Sequence, residues 1–327
     1  AWLPGCDAGE ARERFSAAIT WLKDFRYARD SASFGIAASV GVVEFQPGTL
    51  EAAEILRRAD AACMSASTTG GNQIQVYSRD DVQVQGQETL LEWAGSIDSI
   101  LAENRLFLRC QRVSPVTQAT GLESYYEILL GVRDSRGAVT GPLPLIQAAE
   151  RWNRIQEIDR WVLDQVFAWI RTHRGTFDTL GGFSVNLSPR SLRNEDILTL
   201  LHEELASLDL AAAKLMFEIT ETASVGSYAP AREFIQQIRR YGCRFCIDDF
   251  GSGYASYGHL KNLQADVLKI DGMFVKDMLT SAADRAMVGS MKEIGHSLGM
   301  TVVAEYVATE RHLSAVREIG VDYAQGY

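Results

Sequence analysis

Seven short apolar segments in the later part of the chain each end on a side chain that can bind a cation, accept a proton or donate one. Tyr-Tyr-Glu-Ile-Leu-Leu presents Glu127, Phe-Ser-Val-Asn-Leu-Ser-Pro presents Asn186, and Leu-Met-Phe-Glu-Ile-Thr-Glu presents Glu218 and Glu221. Phe-Cys-Ile-Asp-Asp-Phe-Gly presents Asp248 and Asp249, and Val-Leu-Lys-Ile-Asp presents Lys269 and Asp271. Thr-Val-Val-Ala-Glu presents Glu305, and the closing Asp-Tyr-Ala-Gln-Gly-Tyr presents Gln325. One acid at a strand end is usually a loop cap or a surface charge. Several carboxylates gathered unpaired would repel one another and take up protons. Divalent cations remove that penalty, and hard Mg²⁺ or Mn²⁺ suits an all-oxygen donor set. Adjacent acids such as Asp248 and Asp249 could serve two ions, and two ions can activate water and stabilise the leaving oxygen of an in-line displacement. Lys269 adds a fixed cation for a phosphate or a water. The bland alternative is a structural salt-bridge network.

These side chains need a frame that brings strand ends together. From Leu106 onward the pattern is short apolar strand, polar strand end, amphipathic helix, repeated. Gly242, Gly299 and Gly320 fall where helix C-caps belong. Strands alternating with helices predict a parallel α/β arrangement. Some seven such strands over residues 105–327 suit a closed barrel better than an open sheet, and in a barrel the strand ends converge on one mouth. Periodicity alone does not decide between the two.

Ahead of this lies a different pattern. Glu10 to Phe25 and Leu50 to Ser67 read as helices, Phe34 to Phe45 as one half-buried strand, and Gln73 to Tyr77 as a short strand. Together they predict a small α+β unit over residues 1–80. The polar stretch Asp81 to Gln87 reads as a turn, and Leu90, Leu91, Trp93, Ala94, Ile97, Ile100 and Leu101 recur at helical spacing, so residues 81–104 read as a linker and connecting helix. The helix is either a plain linker or a transmitter of signals.

Composition removes several classes. Of 327 residues 46% are hydrophobic and 23% charged, enough for a packed core, and the net charge of −10 with no basic stripe argues against tracking a nucleic-acid polymer. Five cysteines at irregular spacing give no disulfide framework. Cys243 and Cys246 form a lone CxxC on a strand, where the thiols would face opposite sides, so both read as core. His173, His202, His259, His296 and His312 show no metal spacing. No apolar run reaches the roughly 18 residues of a membrane helix, and no signal peptide is apparent. A start without Met and an end without a polar tail read as interior points of a longer protein.

The runs Glu127-Ile-Leu-Leu, Asn186-Leu-Ser-Pro, Glu218-Ile-Thr-Glu, Asp248-Asp249-Phe-Gly-Ser-Gly-Tyr, Leu268-Lys-Ile-Asp and Ala304-Glu-Tyr-Val resemble the EAL-domain family of cyclic-di-GMP phosphodiesterases, over residues 105–327. The resemblance implies an α/β fold of the TIM-like β/α barrel type and Mg²⁺- or Mn²⁺-dependent opening of cyclic-di-GMP to linear pGpG. It implies that Glu127, Asn186, Glu218, Asp248 and Asp249 are metal ligands for two ions. Glu305 would be a ligand or general base, and Lys269 would position water or phosphate. Asp271 and Gln325 would support the site, and Glu221 would anchor the loop Asp249 to Tyr257, in which Gly251 and Gly253 permit movement. Residues 1–80 resemble the second half of a GGDEF domain, through Leu3-Pro-Gly-Cys-Asp, Ala38-Ser-Val-Gly-Val and the stretch Ala59 to Asn72. That family's signature loop is not in this chain, and Ser67 and Gly71 stand where it usually has lysine and arginine. A regulatory or structural remnant is therefore expected rather than a cyclase.

Three positions depart from the EAL pattern. Gly131 stands where the family has an arginine that can pair with substrate phosphate, a charge-assisted contact of about 1–3 kcal/mol. Arg133, two residues on, could stand in for it. Ala308 replaces a glutamate, and Tyr306 a glycine. Three readings follow: an active hydrolase, a cyclic-di-GMP receptor that signals through the connecting helix and a partner, and a structural or interaction module. A homodimer, an upstream sensory domain and a cytoplasmic setting for this portion, with a parent protein that could be membrane-associated, complete the expectations.

Overall fold

The computed structural model describes residues 1–29, 32–68, 71–78, 81–117, 121–220, 228–252, 260 and 263–326. The chain forms two compact units, Ala1–Glu103 with Pro142–Trp152, and Asn104–Gly141 with Asn153–Tyr327.

The first unit is mixed α and β. Its opening helix, Ala8–Asp24, starts where the Asp7 carboxylate accepts from the Glu10 amide at 2.8 Å. Two strands follow, β1 (Arg26–Arg29) and β2 (Ala32–Gly35), paired antiparallel, then β3 (Val40–Val42) and β4 (Ile74–Val76), paired parallel. The single strand expected over Phe34 to Phe45 is thus two, because its halves pair with different partners. The helix Ala52–Thr68 packs on β3 so closely that a Cβ on Gly41 would lie 2.1 Å from the Ala59 carbonyl. Only glycine permits that approach. The next helix, Val82–Ala102, begins earlier than its apolar spacing suggested. The Asp81 carbonyl accepts from the Gln85 amide at 2.9 Å, so the polar stretch is the helix's first turn. Arg57 reaches Glu54, Glu88 and Glu92 at 2.7, 3.6 and 3.1 Å.

The second unit is a closed barrel. Its strands are β5 (Leu106–Pro115), β6 (Tyr125–Arg133), with β7 (Val139–Thr140) appended to β6, then β8 (Phe183–Asn186), β9 (Leu215–Thr220), β10 (Arg244–Phe250), β11 (Val267–Ile270), β12 (Thr301–Ala304) and β13 (Tyr323–Gln325). Hydrogen bonding runs β5–β13–β12–β11–β10–β9–β8–β6, and a β5–β6 pairing closes the ring of eight strands. Within the ring all neighbours are parallel except β5, which runs antiparallel to both β6 and β13. The alternation of strands with helices predicts the parallel arrangement seen for the other seven strands of the ring. β5 departs from it because only the nine residues 116–124 separate it from β6, too few for a parallel crossover, so the chain returns beside it as a hairpin would.

Helices cover the outside. Ile155–Thr172 buries Ile155, Ile158, Leu163, Val166, Phe167 and Ile170 at helical spacing. Asn194, Ser281 and Thr309 cap the helices that follow them, and Gly320 closes Glu310–Ile319 in the left-handed region at φ +86°. Gly242 and Gly299 also have positive φ, at +85° and +77°. Cys243 lies in the outer layer between sheet and helices, and Cys246 inside the barrel, on the opposite face as strand geometry requires. Burial pushes the Cys243 thiol up to about 12 and Cys246 well above its ordinary value. No described helix is long and apolar enough to cross a membrane.

Candidate active site

The barrel interior is built in layers, and the pleat decides what each layer contains. Val113, Tyr125, Met216, Cys246, Val267, Val303 and Tyr323 form one buried cluster inside the ring. Side chains two apart on a strand share a face. Two residues past Tyr125, Met216, Cys246, Val267, Val303 and Tyr323 come Glu127, Glu218, Asp248, Lys269, Glu305 and Gln325. Buried Ser184 precedes Asn186 by the same step on β8. On antiparallel β5 the step reverses, from Val113 to Gln111. An apolar floor therefore carries a polar layer at the C-terminal ends of the parallel strands, one side chain from each of the eight.

Lys269 is the centre of that layer. It is 1% exposed, and its Nζ lies 3.2 Å from Glu127, 2.9 Å from Glu218, 2.9 Å from Asp248 and 2.8 Å from Glu305. Burial opposes its charge, but the surrounding carboxylates hold its pKa well above the ordinary lysine value. Asn186 Nδ2 donates to Glu127 Oε1 at 2.8 Å. Gln325 Nε2 donates to Glu127 Oε2 at 2.5 Å and to Gln111 Oε1 at 2.9 Å. Burial alone would raise Glu127, but Lys269 and the amides of Gln325 and Asn186 bring it below the ordinary carboxylate value. The other acids go the opposite way. Desolvation, against the pull of Lys269, leaves Glu218 at about 8 and Glu305 at about 7, with neighbouring carboxylates adding to the rise. Asp249 is pushed up to about 6 by burial, Asp248 and Asp271.

Asp248 and Asp249 would face opposite sides of a regular strand. Here the β10–β11 register shifts between Ile247 and Phe250, and Asp249 sits at φ +53°. The irregularity turns both acids toward the mouth. Ligand atoms of Glu127, Glu218 and Asp248 lie within 4.8 Å of one another, and so do those of Asp248, Asp249 and Glu305. Two oxygen triads thus share Asp248. Glu218 Oε1 and Gln325 Oε1 are buried without a hydrogen-bond partner among the described residues, and Asp248 Oδ1 has only the ammonium of Lys269. Buried oxygens left in this state are suited to a hard cation. The donor set fits divalent metal.

The remaining expected residues are placed as follows. Asp271 caps the helix Gly272–Asp277, accepting from the Met273 amide at 2.8 Å, and lies near enough to raise Asp249. Glu221, Gly253 and Tyr257 lie outside the described residues, and Gly251 has φ +101°. Tyr306 occupies the left-handed region at φ +56° and is 53% exposed. Ala308 is exposed on the turn after Glu305 and offers no carboxylate. Gln111 was not singled out from sequence: Arg109-Cys110-Gln111-Arg112 is polar throughout, which hides the alternation, and only its place two residues from Val113 marks it.

Fold and site together define a β/α barrel whose mouth is a metal-competent acidic layer. Residues 83–327 match the EAL domain, and the chain belongs to that family. It is 33% identical to the Cyclic di-GMP phosphodiesterase PdeB of Shewanella oneidensis over 297 residues, 91% of this chain and 34% of that protein. It is 34% identical to the Cyclic di-GMP phosphodiesterase PdeF of Escherichia coli K12 over 231 residues, 71% of this chain and 30% of that protein. The chain therefore spans about a third of the length of these relatives. Among solved structures, a PaMucR phosphodiesterase in complex with c-di-GMP aligns with a TM-score of 0.63 at 26% identity, over 72% of this chain and 94% of that one. A Vibrio cholerae LapD S helix-GGDEF-EAL structure, bound to c-di-GMP, shares the fold over 99% of this chain and 75% of its own, with a TM-score of 0.66 at 18% identity.

Proposed function

We propose that the barrel hydrolyses cyclic-di-GMP to linear pGpG with two Mg²⁺ or Mn²⁺ ions. The observation that carries this reading is the pair of oxygen triads sharing Asp248 at the mouth of the barrel. Glu127, Asn186, Glu218 and Asp248 would hold one ion, and Asp248, Asp249 and Glu305 the other. When bound, such ions polarise the phosphodiester and lower the pKa of attacking water. Glu305 would serve either as a ligand of that second ion or as the general base that accepts a proton from the water. Lys269 holds its charge throughout and orients the acids or a phosphate oxygen. The water oxygen joins phosphorus, one ester P–O bond breaks, and the departing oxygen takes a proton, opening the ring.

The receptor reading has its own support in Gly131 and Ala308, which leave two polar groups of the family pattern missing. Incubation with cyclic-di-GMP and Mn²⁺ or Mg²⁺, with chromatographic detection of pGpG, separates the two. Product that disappears in Glu305→Ala supports hydrolysis. Saturable binding without product supports the receptor, and no binding under either metal refutes both. The same proposal carries residues 1–80 as a GGDEF-like remnant, a connecting helix ahead of the barrel, Asp271, Gln325 and Glu221 as supporting residues, a homodimer, an upstream sensory segment and a cytoplasmic setting.

A further inference from the structure

β5 and β6 continue beyond the acidic layer toward solvent. Their next cross-strand pairs on the face that carries Gln111 and Glu127 are Arg109 with Leu129 and Phe107 with Gly131. The Phe107 ring lies over Gly131, where a Cβ would come within 2.5 Å of two ring atoms. No side chain fits at 131 while the ring stays, so the missing side chain and the ring are two halves of one substitution. The ring also bears two guanidinium groups, Arg133 at 4.9 Å from its centroid and Arg109 at 6.0 Å. Arg133 is engaged with the Gly137 carbonyl at 3.3 Å. Arg109 is exposed, and its side chain makes no hydrogen bond or ion pair with any described residue.

A chain of net charge −10 must supply local cations wherever it holds an anionic ligand. Arg109 stands diagonally across the ladder from Gly131, a separation that a long side chain spans. Contact with an aromatic face restrains the guanidinium while leaving its edge donors for an anion. Resting on the functional reading above, we propose that Arg109, braced on Phe107, pairs with a phosphate oxygen of the cyclic dinucleotide and supplies from β5 the cation that Gly131 withholds on β6. The contact belongs to binding and leaves the chemistry at the acidic layer to the residues already assigned there.

The test is isothermal titration of the full chain with cyclic-di-GMP in chelating buffer, followed by turnover with Mn²⁺. Arg109→Gln should weaken binding about 10–100-fold and raise KM with little change in kcat. Arg109→Lys should recover part of the loss, and the dependence of affinity on salt should flatten in Arg109→Gln. The thermal shift on adding Mn²⁺ should be the same in both variants as in the wild type, which separates a lost ligand contact from a damaged site. Adding Phe107→Ala and Gly131→Arg to Arg109→Gln should restore affinity by returning the cation to β6. Wild-type binding with undiminished affinity in Arg109→Gln overturns the proposal alone, as does a loss confined to Arg133→Gln. A wild type that neither binds nor cleaves cyclic-di-GMP overturns the functional reading and this proposal with it.

Discussion

Replacing Lys269 by methionine tests whether one buried ammonium is what lets four carboxylates share the barrel mouth. Methionine keeps an unbranched, adaptable chain, so the loss is mainly of charge. The ammonium is within 3.2 Å of Glu127, Glu218, Asp248 and Glu305, and the side chain is 1% exposed. Removing one partner from a buried ionic cluster costs about 3–5 kcal/mol. At about 2–4 °C per kcal/mol for a domain of this size, Tm should fall by about 6–20 °C at pH 8 in chelating buffer. The pH dependence has a definite sign. Glu218 and Glu305 rise from 4.5 to about 8 and about 7, so the folded chain keeps protons that the unfolded chain releases above pH 4.5. Stability from these groups therefore declines as pH rises between 4.5 and 8. Without Lys269 both values climb further, and the gap between variant and wild type should widen from pH 5 to pH 8. Thermal melts by circular dichroism at pH 5, 6.5 and 8 measure this directly, and Mn²⁺ should recover part of the loss. A drop under about 2 °C at pH 8, or a wider gap at pH 5 than at pH 8, would refute the reasoning.

Two further outcomes follow from the site. On the proposed reading divalent metal displaces protons from Glu218, Glu305 and Asp249, whose pKa values are raised to about 8, 7 and 6. Mn²⁺ at a hundred times its Kd should raise Tm by about 5–11 °C at pH 8, with a smaller shift at pH 6, as read by differential scanning calorimetry; an equal shift at both pH values would show that these acids do not take part. Tyr306→Gly removes a side chain from φ +56° and should stabilise the chain by about 1 kcal/mol in urea melts, with no stabilisation as the contrary result.

Which parts of this were legible in the sequence follows from the pleat. Met216 before Glu218, Cys246 before Asp248 and Val267 before Lys269 are apolar–polar steps of two, so the segments announced a reactive layer at the strand ends, while the closed floor beneath it emerged only with the barrel. The helix end at Gly320 was legible for a local reason, since its left-handed backbone closes the turn that precedes it. What was hidden depended on partners far along the chain. The direction of β5 is set by pairing with β6 and β13, and its polar run conceals which residues point inward. That Asp248 and Asp249 could act together was legible from their place at a strand end, but the register shift and left-handed residue that turn them to one side were not. Gly131 read as a loss, and only the Phe107 ring above it shows that its space is filled.

The charge balance of the mouth explains why its acids differ in their hold on protons. Lys269 offers one positive charge to four carboxylates, too little to keep all of them ionised in a dry interior. The shortfall is not shared equally. Glu127 receives amide donors from Asn186 and Gln325 as well as the ammonium, so it remains a carboxylate below its ordinary pKa. Glu218 receives only the ammonium, on one oxygen, and its other oxygen is left without a partner among the described residues. It therefore holds a proton up to about pH 8. Glu127 has the most hydrogen-bond support in the layer, whereas Glu218 and Glu305 ionise only as pH rises toward about 8 and about 7. Protons held by these two acids lower the repulsion among the carboxylates, which lets an acidic layer fold over an apolar floor.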